Sequence, residues 1–103
     1  MNVIIKNSVN INNKSIRVKP IDFEAICALE DLGFDIANVR KKLFSSYRCV
    51  LAYNADISLE EASKEIENHI KNGGNLNDLY PFVEAILNSD FFKSMLANSE
   101  NKE

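Results

Sequence analysis

The sequence predicts an α+β domain, mainly α, with an N-terminal β-hairpin followed by four to five short helices in one compact unit. Three observations carry that expectation. Apolar residues alternate with polar ones over the first 19 positions, the period of a half-buried strand. From Ile36 onward they recur at spacings of three and four, the period of an amphipathic helix. Helix-start residues precede the periodic stretches, and glycines follow two of them.

In the hairpin, Val3, Ile5, Val9 and Ile11 share one parity, and Ile16 and Val18 resume the alternation after Asn12-Asn13-Lys14. Asparagine tolerates positive φ, so the Asn12-Asn13 pair predicts a tight turn. A break is expected near Asn7-Ser8. A lone hairpin is marginal in water, so it must lean on helices.

Pro20 ends the second strand. Asp22 then reads as an N-cap, Ile21 and Ile26 as a hydrophobic staple, and Gly33 as a stop for a helix of about ten residues. Its apolar stripe is Phe23, Ile26, Cys27, Ala28, Leu29 and Leu32. Asp35 is the next cap candidate. Ile36, Val39, Leu43, Tyr47, Val50 and Leu51 predict a second helix reaching about Tyr53, ending in Asn54-Ala55-Asp56.

Ser58-Leu59-Glu60-Glu61 reads as a capping box opening a third helix through Ala62, Ile66 and Ile70. Gly73 suits a left-handed position at its end. Asn75 is a cap for a fourth segment, in which Pro81 predicts one of two outcomes. Either a long helix kinks, or a one-turn piece at Leu76–Leu79 precedes a helix with Pro81 near its start. After Asn88-Ser89-Asp90, the residues Phe91, Phe92, Met95 and Leu96 predict a last apolar turn or two. The domain is thus expected over residues 1–97, with a frayed polar tail at 98–103.

Composition excludes several function classes. At 103 residues the chain has room for one modest core. Its net charge is −3, so no global field draws it to phosphate backbones or anionic membranes. The longest apolar run is short, which argues against a membrane span or a secretory signal, and the expected location is the cytoplasm. The 14 asparagines, beside 3 glycines and 2 prolines, suggest an AT-rich source. Charge is uneven along the chain. Residues 1–57 carry 8 cations and 6 anions, while residues 58–92 carry 2 and 7. Such polarity suits head-to-tail self-association or docking on a basic partner.

No catalytic constellation appears. His69 is the sole histidine, and its charged neighbours predict a surface position. Cys27 and Cys49 are 22 positions apart, without a CxxC, and read as reduced apolar side chains rather than redox or metal groups. Neither metal nor organic cofactor is expected. The segment Ser58–Leu87 has a helix-turn-helix outline, but no Lys or Arg occurs between Asn72 and Phe92, so no recognition helix can hold phosphates. The basic cluster Arg40, Lys41, Lys42 and Arg48 reads as a solvated face. The most unusual feature is apolar excess near the C-terminus. Phe82, Phe91, Phe92, Met95 and Leu96 crowd a short, poorly capped end. Either they pack across the other helices or they form a partner-binding surface.

The order of parts carries a resemblance. The hairpin with its Asn-rich turn leads to a short helix with Ala28-Leu29-Glu30, then to a longer helix. Ile57-Ser58-Leu59-Glu60-Glu61-Ala62 follows, then Gly73-Gly74, Leu76-Asn77-Asp78-Leu79, and an apolar helix ending in Ser89-Asp90-Phe91-Phe92. This arrangement resembles the small tail assembly chaperones of tailed phages and prophages, particularly those of low-GC Gram-positive hosts, over about residues 8–96. The resemblance implies a non-enzymatic role in tail morphogenesis. The partners it implies are the tape measure protein, which is coated and kept soluble, and the tail tube protein, whose subunits are recruited. It also implies absence from the finished virion. The alternative from a different class is a small regulatory module, antitoxin-like or an adaptor, with one protein partner.

Overall fold

The computed structural model describes residues 7–100, with side chains as far as Asn98. The alternation at Val3 and Ile5 and the tail residues 101–103 lie outside the described residues. Within them, a two-stranded antiparallel hairpin is followed by five α-helices, and the domain is mainly helical. Strand β1 (Ser8–Ile11) pairs with β2 (Lys14–Arg17) in the register Val9 to Ile16 and Ile11 to Lys14. Asn12 and Asn13 both take positive φ, 54° and 63°. That is the geometry a two-residue hairpin turn needs to match strand twist.

Helix α1 (Phe23–Asp31) begins as expected. Asp22 accepts from the Ala25 N–H at 2.8 Å. It ends in a Schellman arrangement, with Gly33 at φ 102°. The Phe34 N–H donates to the Leu29 carbonyl and the Gly33 N–H to the Glu30 carbonyl. Leu29 and Phe34 are both buried there.

The second helix starts later than the spacing predicts. Ile36–Asn38 form a 3-10 turn, further turns follow, and α2 runs Leu43–Ala55. Here Asp35 makes no cap bond to the backbone. Its carboxylate instead accepts from the Asn38 side chain at 2.8 Å, and the N–H groups of Lys41 and Lys42 both return to the Asn38 carbonyl. A period of three serves a 3-10 turn as well as a helix, so Ile36 and Val39 still pack against the core.

Helix α2 is the central element. Tyr47, Cys49, Val50, Leu51 and Ala52 are all buried, and β2, α1 and two helices that follow in the chain pack against α2. Buried Asn54 is satisfied twice. Its Nδ2 donates to the Val50 carbonyl and its Oδ1 accepts from the Lys19 N–H, both at 2.8 Å. The helix ends at Asp56 in the left-handed region, φ 57°.

Helix α3 (Leu59–Lys71) carries the expected capping box of Ser58 and Glu61. It closes with Gly73 at φ 96°. A 3-10 turn at Leu76–Leu79 precedes α4 (Tyr80–Leu87), with Pro81 in its first turn. The proline's missing N–H is no loss at that position. This is the second of the two outcomes Pro81 predicted. Helix α5 (Asp90–Glu100) is longer than expected. No glycine or proline interrupts Phe91–Glu100, so the helix continues past Asn98, where the sequence suggested a frayed tail. Among the described residues, no helix is long and apolar enough to cross a membrane.

His69 is not the surface residue its neighbours suggested. Its side chain is largely covered, and it latches three elements together. Nδ1 accepts from the Asn12 N–H at 3.1 Å, and Nε2 lies 2.8 Å from Asp78 Oδ2. An acceptor at Nδ1 places the proton on Nε2, which donates to Asp78. Asp78 also accepts from the Asn75 N–H. Beside the latch, the Asn12 side chain donates to the Glu65 carbonyl (2.7 Å) and to Glu65 Oε1 (2.9 Å), and Lys14 pairs with Oε2.

Two expected outcomes follow from this corner. A Cβ on Gly74 would overlap the His69 ring. Gly74→Ala should therefore cost about 1–3 kcal/mol through displacement of the imidazole, read from urea unfolding. The bonds from Asn12 and Lys14 hold the Glu65 carboxyl below its usual range. A depressed folded pKa adds stability that is present above the unfolded value, near 4.3, and is lost as pH falls through the folded value. Glu65→Gln should flatten the acid limb of a stability-versus-pH curve; an unchanged limb would remove Glu65 from it.

Candidate partner-binding surface

Helix α5 is held by a small joint. Ser89 Oγ accepts from the Phe92 N–H at 3.1 Å and donates to the Ile86 carbonyl at 2.8 Å. One serine therefore caps the start of α5 and ties it to the end of α4, so the C-terminal segment is capped, contrary to the sequence reading. Positions 91, 92, 95 and 96 fall on one side of a helix. None of the described α5 side chains is buried.

The five candidate residues divide. Phe82 is only 1% exposed and belongs to the core with Leu79, Val83 and Ile86. It is removed from the candidate surface, because α4 packs against α2 and Phe82 lies in the core. Phe91 and Phe92 are half-buried. Met95 and Leu96 are exposed by 42% and 45%.

The structure adds Phe23, which sequence reasoning assigned to the apolar stripe of α1. It is 63% exposed, and its ring meets that of Phe91 edge-on, 5.8 Å between centroids at 63°. A signal was present. The residues of α1 that are buried are Ala25 and Leu29, and a residue two positions before Ala25 lies on the far side of a 100° wheel. Phe23 and α5 thus form an apolar surface drawn from both ends of the chain.

A second apolar area lies between α2 and α3. Phe44 is 76% exposed and borders a groove of about 250 Å³ with Ile66 and Leu76. Arg48, read from sequence as part of a solvated basic face, is half-buried there, and its Nε meets no hydrogen-bond partner among the described residues. Arg40, Lys41 and Lys42 are exposed as expected.

The thiols have ordinary surroundings. Burial pushes the Cys49 thiol up, and the thiol donates to the Leu32 carbonyl. Partial burial and the carboxylates of Glu24, Glu30 and Asp31 push Cys27 up as well. Neither has the lowered pKa of an activated nucleophile. No cluster of metal-ligating side chains occurs among the described residues.

No protein-family model matches the chain, and neither a curated protein nor a solved structure matches it.

Proposed function

We propose that this protein is a non-enzymatic assembly chaperone of the tailed-phage type. In this reading it covers the tape measure protein and helps recruit tail tube subunits, and it leaves before the tail is complete. The observation that carries the reading is α5, a capped helix with an apolar side and none of its described side chains buried, enlarged by Phe23. A long amphipathic helix offers apolar stripes that such a surface can cover. The area is small. Covering the remaining surface of Phe23, Met95 and Leu96 contributes on the order of 1 kcal/mol each. A single contact of about 3 kcal/mol binds more weakly than millimolar, which takes about 4 kcal/mol. Many copies on one long partner give a firm coat, and each copy still leaves readily. The order of motifs from Ser58 to Phe92 supports the same class.

Co-expression with a tape measure protein tests this directly. The expected result is a long partner soluble only with this chain and co-purifying with many copies of it. A one-to-one complex would favour the regulatory module, and unaltered solubility of the long protein would end the chaperone reading.

A further inference from the structure

Among the described residues, the outer edge of β2 is open. In an antiparallel ladder, residues directly opposite alternate between hydrogen-bonded and non-bonded pairs. Val18 donates to the Asn7 carbonyl, so Val9–Ile16 and Ile11–Lys14 are the bonded pairs in this register. The N–H and C=O groups of Ser15 and Arg17 therefore point away from β1. Among the described residues they meet no partner. The next residue of that parity, Lys19, has its N–H taken by Asn54 Oδ1 at 2.8 Å.

That edge is one wall of a groove of about 350 Å³. Leu51, Ala55 and Ile57 form the opposite, apolar wall. The groove is bounded at one end by the Lys19–Asn54 bond and at the other by the Lys14–Glu65 pair, 2.9 Å. It is therefore short, about the 10 Å that four strand residues span.

We propose that this groove binds a short extended segment of a partner protein by adding a third strand beside β2. Unpaired strand edges are templates for such pairing. The pleat fixes the kind of sequence. A residue opposite Ile16 points to the inner side, toward Leu51 and Ile57, and must be apolar. Residues opposite Ser15 and Arg17 point to the outer side. Lys14 and Lys19 already have carboxylate partners, whereas Arg17 makes no ion pair with any described residue. The residue beside Arg17 is therefore acidic. A second copy of this chain fits poorly, because pairing β2 with itself gathers two sets of Lys14, Arg17 and Lys19 along one short seam, and the strand Lys14–Arg17 holds no carboxylate to offset them. The site lies on the hairpin, and its argument does not depend on the chaperone reading.

The test uses the full chain and two synthetic peptides, acetyl-Thr-Glu-Val-Glu-Thr-amide and its lysine counterpart, acetyl-Thr-Lys-Val-Lys-Thr-amide. The expected result is that millimolar acidic peptide slows amide exchange at Ser15 and Arg17 at least fivefold, while the lysine peptide does not. Arg17→Glu should reverse that preference. Ser15→Pro should abolish the effect, because its N–H takes no part in the β1 ladder and edge proline is tolerated; the unchanged exchange of Val9 and Ile16 shows that the hairpin remains. Unchanged exchange at Ser15 and Arg17 overturns the proposal, as does equal binding of both peptides. Concentration-dependent protection without peptide also overturns it, in favour of a second copy.

Discussion

Phe82→Ala is expected to lower stability by about 3–5 kcal/mol, the cost of emptying a ring-sized space in a packed core. The whole stability of a small domain is of the order of 5–15 kcal/mol, so this variant should be largely unfolded in moderate urea. Phe82 is 1% exposed, and its neighbours Leu79, Val83 and Ile86 are equally covered. Leu96→Ala provides the contrast. Leu96 is almost half exposed, and its truncation should cost less than about 1 kcal/mol. Equilibrium denaturation of both variants checks the division of the aromatic-rich C-terminal segment into core and surface. Similar losses for the two would mean that α5 is packed far more tightly than its exposure indicates.

Removal of α5 should have the opposite signature. A chain ending after Ser89 loses no buried side chain of the described structure; it loses the half-buried Phe91 and Phe92, the Phe91 edge against Phe23 and the bond from the Phe92 N–H to Ser89. Its thermal transition should move by a few degrees, since about 1 kcal/mol shifts a domain of this size by about 4–8 °C. Under the proposed function, binding to a tape measure protein should disappear with the helix, because that proposal rests on the apolar side of α5. A truncated chain that still co-purifies with the long protein would move the binding surface elsewhere, with the Phe44 groove next in line.

The sequence states the elements more clearly than their surroundings. Caps and turns are local, so Asp22, Ser58, Gly33, Gly73 and the Asn12-Asn13 pair could be read directly. Each acts within three or four residues of itself. The start of α2 was less legible because a spacing of three fits both a 3-10 turn and an α-helix. His69 was illegible for a different reason. Its partners Asn12 and Asp78 are brought to it by tertiary packing, and nothing in the Glu-rich flanks of α3 announces them. The candidate surface fell between these cases. Its apolar excess was visible in composition, but Phe82 and Leu96 look alike until α4 is set against α2. Phe23 could have been separated from its stripe only by deciding which side of α1 faces inward.

The corner where Asn12 meets Glu65, His69 and Asp78 also orders events in time. Helices α2 and α3 are sequential and joined by three residues, Asp56–Ser58, so their contacts close a short loop. The hairpin forms its own turn early. Its anchorage waits for residues more than fifty positions downstream, and long loops close late. A nascent chain therefore carries a marginal hairpin whose turn has no anchor until Glu65 and His69 have emerged. Pulse-labelled exchange during refolding should find α2 and α3 protected before the Asn12 amide. Protection of Asn12 together with α2 would show instead that the whole domain closes in one step.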